Sequence, residues 1–201
     1  MRRLTFFLAL AASLAIARAD TVDFEDLPLN NIANFGSCDG GGTPIGNYYA
    51  GVGVASIGPD AVGLDSSCGI TGYPPNSGNI NVLGADDFTT ISFRSLESSV
   101  SVYYVAYDPI VLTAYDSSNN IIGSNTGLAN TDGFTGSDSL LSVTAPDISY
   151  VTLGNIGLAF EYTFDDLSFT PIPEPLSLPF SATVFVLFIL IRVIYRYREQ
   201  P

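Results

Sequence analysis

The sequence contains no histidine, no lysine and no tryptophan, and it has only two cysteines among its 201 residues. Without histidine, neither a Ser-His-Asp nor a Cys-His hydrolase can be assembled, and zinc sites of the usual His/Cys type lack their ligands. Without lysine there is no Schiff-base chemistry and no phosphate-binding loop that ends in Gly-Lys-Ser/Thr. These absences exclude several common enzyme classes.

Positive charge is also scarce. Seven arginines stand against twenty acidic residues, which gives a formal net charge of −13. Between residues 20 and 170 there are eighteen acidic residues and a single arginine, Arg94. Since an anionic surface without a basic patch cannot release counterions from DNA or RNA, we expect no nucleic-acid binding. The same surface is repelled by anionic lipid headgroups.

Residues 1–19 have the features of a secretory signal peptide. Arg2 and Arg3 form a positive segment, residues 4–16 form an apolar stretch, and Ala-Arg-Ala at 17–19 matches an A-x-A cleavage site. The alternative is an uncleaved membrane anchor. A cleaved signal predicts export of the acidic region that follows.

The other end of the chain predicts a membrane-spanning helix. An apolar run over 176–191 is followed by Arg192, Arg196 and Arg198. A span over 176–194 approaches the roughly 20 residues that a bilayer requires, provided that Arg192 snorkels to the headgroups. The arginines form a basic stop, which indicates the cytoplasmic side of the membrane.

Residues 171–201 resemble the PEP-CTERM sorting domain of bacterial surface proteins. The resemblance rests on Pro173, Glu174 and Pro175, followed by the single hydrophobic span and the arginine cluster. It implies recognition by an exosortase, a membrane-embedded cysteine transpeptidase that removes the helix. It further implies an inner-membrane precursor and a mature protein at the cell surface, or in the extracellular matrix, of a Gram-negative bacterium. A plain single-pass anchor with a proline-bearing stalk is the alternative.

The region between the two ends predicts one all-β domain over residues 20–170. Short runs rich in Val, Ile, Thr, Tyr and Phe alternate with turn residues. They predict strands at 21–24, 48–55, 89–93, 100–107, 110–115, 121–124, 140–143, 150–153 and 160–169. Strands at this spacing favour an antiparallel β-sandwich of the jelly-roll kind. A β-solenoid is the alternative, although no repeat of fixed period is visible.

Three segments resemble the sandwich domain that is often found upstream of PEP-CTERM tails. They are Val-Leu-Thr-Ala-Tyr-Asp at 111–116, Phe-Asp-Asp-Leu-Ser-Phe at 164–169 and Phe-Glu-Asp-Leu-Pro at 24–28. The resemblance implies the same β-sandwich fold here.

The two cysteines predict a disulfide bond. Cys38 lies in a Gly/Asn-rich stretch at 30–47, and Cys68 lies in a similar stretch at 65–75. Because an exported domain meets an oxidising environment, we expect a Cys38–Cys68 bridge. It would close a ring of about 31 residues and stabilise the fold by about 3–4 kcal/mol in the chain-entropy account.

Acidic residues near the two ends of the domain predict a calcium site. If the first strand lies beside the last, oxygen ligands converge at one edge, from Asp23, Glu25, Asp26, Asp165 and Asp166. Calcium takes six to eight oxygens and accepts backbone carbonyls among them. Jelly-roll modules that bind carbohydrate often carry a structural calcium in about this place, and the resemblance implies the same here. The alternative is that these carboxylates face solvent.

Exposed tyrosines predict a surface for carbohydrate. Sugars stack on aromatic faces flanked by amides and carboxylates, and Tyr48 and Tyr49 beside the Gly-rich loop are candidates. The same tyrosines suit a strand core equally well. We therefore expect a non-catalytic envelope or matrix protein that contacts polysaccharide. The alternatives are a polysaccharide-active hydrolase that uses a carboxylate pair and a passive structural coat protein.

Overall fold

The computed structural model describes residues 18–28, 42–66, 72–84, 88–132, 135–155 and 162–173. Both cysteines of the predicted disulfide, Cys38 and Cys68, lie outside these residues. So do Glu174, Pro175 and the predicted span over 176–194 with its basic stop. Within the described ranges, no helix is both long and apolar enough to cross a membrane.

The described part of the chain forms nine β-strands and one short 3-10 helix. In chain order they are β1 (Asp20–Val22), the 3-10 helix (Tyr48–Val52), β2 (Val54–Gly58), β3 (Val62–Asp65), β4 (Ile80–Leu83), β5 (Thr89–Ala106), β6 (Ile110–Tyr115), β7 (Ile121–Gly127), β8 (Ser139–Asn155) and β9 (Tyr162–Pro171). All of the strand pairs are antiparallel. This confirms the prediction of an all-β, antiparallel domain.

The two longest strands, β5 and β8, each contribute to two groups of strands. The first half of β5 pairs with β2 and with the second half of β8, which also pairs with β6, and β6 pairs with β7. The second half of β5 pairs with β9 and with the first half of β8. The register shifts around Glu97, whose partner Ile148 follows a residue of positive φ, Asp147 at 62°. Both strands are therefore irregular at the same place, and irregularities of this kind bend a strand.

The core lies between these two groups of strands. Phe93, on the first half of β5, packs against Phe169 on β9 with ring centroids 5.3 Å apart. From the second half of β5, the Tyr104 hydroxyl donates to the Leu128 carbonyl at 2.8 Å, just beyond β7. The ring of Tyr104 lies so close to Gly127 that a Cβ there would overlap it. Facing layers of this kind are consistent with a β-sandwich.

One strand prediction was wrong. Residues 48–55 form the 3-10 helix and the start of β2 rather than a single strand. Gly53 adopts a left-handed conformation with φ of 104°, which interrupts an extended backbone. The helical turn places the Tyr49 ring in the core, where it packs edge-on against Phe24 at 5.4 Å.

Candidate functional site

Two cross-strand rows of small polar and aromatic side chains cover the outer side of the β2–β5–β8–β6–β7 group. One row runs through the register partners Tyr115, Tyr150, Ser92 and Ser56. The other runs through Ser124, Thr113, Thr152, Thr90 and Gly58. All nine residues are at least partly exposed, and none of them is charged. We call these nine residues the hydroxyl face.

A pair of tyrosines forms one corner of the hydroxyl face. Tyr115 and Tyr150 stack with ring centroids 4.6 Å apart and planes inclined by 3°. The Tyr150 hydroxyl donates to Asn119 Oδ1 at 3.2 Å. Burial is the main cause that raises the pKa of Tyr150, with Tyr115 and Asp116 nearby adding to it. A tyrosine hydroxyl is protonated at neutral pH even at its ordinary pKa, and this one acts as a donor.

The turn between β6 and β7 holds polar groups beside this tyrosine pair. Asp116 Oδ1 accepts the backbone N–H groups of Ser118 and Asn120 at 2.8 and 2.9 Å, and Asp116 Oδ2 accepts the Asn120 side-chain amide at 2.8 Å. These bonds, led by that of the Asn120 side chain, lower the pKa of Asp116. The turn is thus tied by its own side chains, and it places an amide and a carboxylate at the edge of the aromatic pair.

The strand arrangement on which the calcium prediction depended is present in the structure. β1 lies beside β9, with Asp20 opposite Phe169 and Val22 opposite Leu167. The carboxylates of Glu25 on one side and of Asp165 and Asp166 on the other bind the same segment, 76–80. Glu25 Oε1 accepts the backbone N–H groups of Asn79 and Ile80 at 2.8 and 2.7 Å.

The partners on the β9 side are equally close. Asp165 Oδ2 accepts the Ser77 N–H at 2.9 Å. Asp166 accepts the Asn76 side-chain amide at 2.6 Å and the Ser77 hydroxyl at 2.9 Å. These carboxylates therefore fasten the segment before β4 to both ends of the domain.

The other two predicted ligands, Asp26 and Asp23, each accept a hydrogen bond from a different group. Asp26 Oδ1 accepts the Tyr49 hydroxyl at 2.7 Å, and Asp23 Oδ1 accepts the Glu25 N–H at 3.3 Å. In the part of the chain that the structure describes, no group of three or more Asp, Glu, His or Cys side chains is arranged to hold a metal ion. Calcium binding by the five predicted residues together stays a prediction.

The two tyrosines predicted to bind sugar differ in exposure. Tyr49 is 6% exposed, and burial, followed by its bond to Asp26, raises the pKa of its hydroxyl. Its ring is packed against Phe24 and Tyr48, so it cannot offer a face to a ligand. Tyr48 is 45% exposed, and its hydroxyl donates to the Asp26 carbonyl at 2.8 Å.

A shallow, open cleft lies in the β4–β9–β5 part of the domain. Its polar lining comes mainly from Asn76, Asn81, Tyr103, Tyr104, Asp138, Thr163 and Asp165. Asp165 is 2% exposed, and burial raises its pKa to about 6. Burial also raises the pKa of Asp138, with a smaller contribution from Asp166. Two carboxyl groups with raised pKa values therefore share one cleft.

Neither the tyrosine pair nor the cleft was identified from the sequence. Tyr115 ends a strand whose alternation places it on the outward side, and this signal was available. Nothing in the sequence showed that Tyr150 would be its register partner, since the two lie 35 positions apart. Asp138 precedes β8 in a run of Gly, Ser and Asp that is typical of an ordinary turn.

Comparisons with known proteins assign no family. No protein-family model matches the chain, and no curated protein matches it. Among solved structures, the K1 cleaved adhesin domain of Lys-gingipain from Porphyromonas gingivalis W83 is similar at 16% identity and a TM-score of 0.38, covering 56% of this chain and 83% of that one.

Two carbohydrate-binding modules are also similar. A β-1,3-glucan-binding CBM6 from Bacillus halodurans matches at 12% identity and a TM-score of 0.34, over 50% of this chain and 83% of that one. The CBM22-1 xylan-binding domain of Paenibacillus barcinonensis Xyn10C matches at 10% identity and a TM-score of 0.32, over 50% and 78%. Identities and TM-scores this low assign no ligand or activity to this chain.

Proposed function

We propose that this chain is an exported, non-catalytic surface protein whose β domain binds a neutral polysaccharide on the hydroxyl face. The observation that carries the proposal is the combination of nine uncharged, outward residues with the stacked pair of Tyr115 and Tyr150 at their corner. In a chain with a net charge of −13, a face of this extent without a charged residue needs a reason. Binding of an uncharged polymer would explain a face without charged residues.

The chemistry of the hydroxyl face suits a sugar chain. Serine and threonine hydroxyls both donate and accept hydrogen bonds, as sugar hydroxyls do. Tyrosine rings provide an apolar surface for the C–H faces of a pyranose, and their hydroxyls keep a polar contact. The turn beside the pair adds Asn119 and Asp116, which complete the mixture of aromatic, amide and carboxylate groups.

Charge favours a neutral polymer over an anionic one. The described domain carries many carboxylates and only Arg18 and Arg94 as basic residues. The Arg94 guanidinium is engaged with the Ala50 carbonyl at 2.8 Å. An anionic polysaccharide would be repelled by the field of such a domain.

The location outside the cell is supported by the terminal sequences. The signal-like segment at 1–19 and the span with its basic stop at 176–198 predict export followed by anchoring. The resemblance to PEP-CTERM proteins adds an exosortase as the processing partner and a jelly-roll arrangement for the sandwich. Cell fractionation and the intact mass of the mature protein test this part, because cleavage near Pro173 removes Arg198 from the chain.

The binding proposal is tested with full-length protein in mild detergent on a glycan array, followed by titration of the best neutral ligand. We expect Tyr150→Ala to weaken binding at least tenfold, because the stacking of the aromatic ring on a sugar is lost together with a hydroxyl group. Tyr107→Ala is the matched control, since Tyr107 is 48% exposed but lies outside the hydroxyl face. Binding that Tyr107→Ala weakens and Tyr150→Ala leaves intact would contradict the proposal, as would an array without any neutral ligand.

A further inference from the structure

The strand β7 lies at an edge of the sheet. It ends the strand order β3–β4–β9–β5–β8–β6–β7, and among the described residues β6 is the sole strand that pairs with it. Alternate residues of an edge strand direct their N–H and C=O groups away from the neighbouring strand. The Thr126 N–H shows this direction, since it donates to the side-chain oxygen of Asn125 at 2.9 Å. The outer edge of β7 therefore presents backbone groups with which another strand can pair.

The sequence of β7 lacks the usual protection of an edge. Native edge strands are very short or carry charged residues or proline, and these features discourage pairing with another chain. The seven residues Ile121–Gly127 include no charge and no proline. Ser124, Asn125 and Thr126 are exposed. The register shift against β6 lies at the start of the strand, so that Gly123–Gly127 pairs regularly. This regular, uncharged part of the edge is open to a further strand.

Two exposed apolar side chains flank the same edge. Leu128, directly after β7, is 77% exposed, and Ile121, at its start, is 66% exposed. They are the two most exposed large hydrophobic side chains of the described residues. A single exposed leucine on a surface is normal, but here one apolar residue stands at each end of one strand. A strand that covers both must itself carry apolar groups at its two ends.

A second copy of β7 meets this requirement. If two copies pair antiparallel about a two-fold axis through Asn125, Ser124 of each copy lies opposite Thr126 of the other. Since the register shift adds one residue next to Ile121, Ile121 comes opposite Leu128 of the second copy. A two-fold interface repeats every contact, so both apolar pairs form.

The distribution of charge also favours pairing through this edge. Residues 20–170 include eighteen acidic residues and one arginine, so two copies repel each other over most of their surfaces. No carboxylate stands on β7 itself. Asp116, in the turn before β7, lies near the Ile121 end. The two-fold axis therefore places the two Asp116 carboxylates at opposite ends of the paired strands, where their repulsion is small.

We propose that the chain forms a two-fold dimer in which β7 pairs antiparallel with β7 of a second copy. The axis passes through Asn125 perpendicular to the sheet, so the two sheets join into one. Because Ser124 belongs to the hydroxyl face, the two hydroxyl faces then form one surface of twice the extent. This last consequence rests on the proposed function, whereas the pairing of the strands does not.

The test measures the mass of the full-length chain in mild detergent by sedimentation equilibrium, in the absence of polysaccharide. We expect two chains per particle. Ser124→Asp combined with Thr126→Asp places like charges opposite each other on both sides of the axis, and Ser124→Lys combined with Thr126→Lys does so with the opposite sign. We expect each of these double variants to raise the dissociation constant of the dimer at least about tenfold.

The matched control alternates the two charges. In Ser124→Lys combined with Thr126→Asp, each new ammonium group faces a new carboxylate of the second copy, so we expect the dimer to be retained. All three double variants alter the same exposed positions. Dissociation of both like-charge variants excludes net charge as the cause, because their net charges change in opposite directions. Since the unaltered chain has no lysine, we also expect carbodiimide to cross-link the control variant into a covalent dimer through its single amine side chain.

The proposal fails on any of three results. The first is an unaltered chain that stays single over the whole dilution series. The second is a dimer that both like-charge variants retain, which would place the interface elsewhere, for example in the predicted span over 176–194. The third is equal dissociation of all three double variants, which would exclude this register. None of these results involves sugar, so a chain without a polysaccharide ligand can still form the dimer.

Discussion

Tyr115 on β6 and Tyr150 on β8 are register partners whose rings stack at 4.6 Å with nearly parallel planes. The Tyr150 hydroxyl reaches beyond the strand to Asn119 in the following turn, so the pair is fixed at both the ring and the hydroxyl. An aromatic surface held in this way loses little conformational entropy when a ligand binds. The pair is therefore a suitable anchor for a sugar chain.

If the bond between Tyr150 and Asn119 orients the pair, the two residues should act as a unit. We expect Tyr150→Phe and Asn119→Gly each to weaken neutral-polysaccharide binding about two- to tenfold, which corresponds to one hydrogen bond. Glycine suits position 119 because Asn119 has a φ of 64°. The double variant should be no weaker than either single one, as a double-mutant cycle by calorimetry can show. Fully additive losses would mean that the two residues act separately.

Glu97 lies at the bend of β5, is 0% exposed, and leaves Oε2 without a partner. Burial raises the pKa of this carboxyl, opposed by the bond from Ser95 and assisted by Asp20. The folded state therefore binds the proton more tightly than the unfolded state does. The stability that this group contributes is complete below its unfolded pKa and is lost as the pH rises through the folded pKa.

We accordingly expect Glu97→Gln to stabilise the protein at pH 7–8 by about 1–3 kcal/mol, because it removes a buried charge. The difference should vanish near pH 3–4, where the carboxyl of the unaltered chain is protonated. Urea denaturation across this pH range measures both limits. A variant that is less stable at neutral pH would show that the carboxylate has a stabilising partner.

Gly78 has a φ of 57°, and a Cβ at this position would overlap the Glu25 carboxylate. That carboxylate holds the N–H groups of Asn79 and Ile80 at the start of β4. We expect Gly78→Ala to destabilise the fold by about 1–3 kcal/mol, since it strains the backbone and displaces charge-assisted hydrogen bonds. Gly51→Ala is the control, because nothing lies within 4 Å of a Cβ there. Equal denaturation midpoints for the two variants would contradict this account of the segment.

The sequence predicts the strands in which alternation is clean, and β6 matches its predicted bounds of 110–115. It does not show that the runs at 89–93 and 100–107 join into one strand, because the exposed residues 94–96 between them resemble a turn. The sequence does not predict β3 and β4, because a strand of four residues shows too little periodicity to be recognised. The two strands are stabilised by pairing with each other, which the local sequence does not show.

For the candidate sites too, some features could be predicted from the sequence and others depend on the folded structure. Acids near the two ends of the domain could be predicted to converge, because the prediction needed only β1 beside β9. The stacked tyrosines, and the buried oxygens of Asn81 and Thr163 that have no hydrogen-bond partner, depend on strand register and packing. Neither can be predicted from composition and spacing. Whether the first nineteen residues are removed, and whether Cys38 and Cys68 form a bridge, stay predictions.

The most direct test of polysaccharide binding on the hydroxyl face places a charge at its centre. Thr152→Asp introduces a carboxylate between Thr113 and Thr90, whereas Ser142→Asp introduces one at an exposed position on the other half of the same strand. In native gel electrophoresis with neutral polysaccharide in the gel, we expect the unaltered chain and Ser142→Asp to be retarded and Thr152→Asp to migrate as in a plain gel. Equal retardation of the two variants, or no retardation of the unaltered chain, would contradict the account.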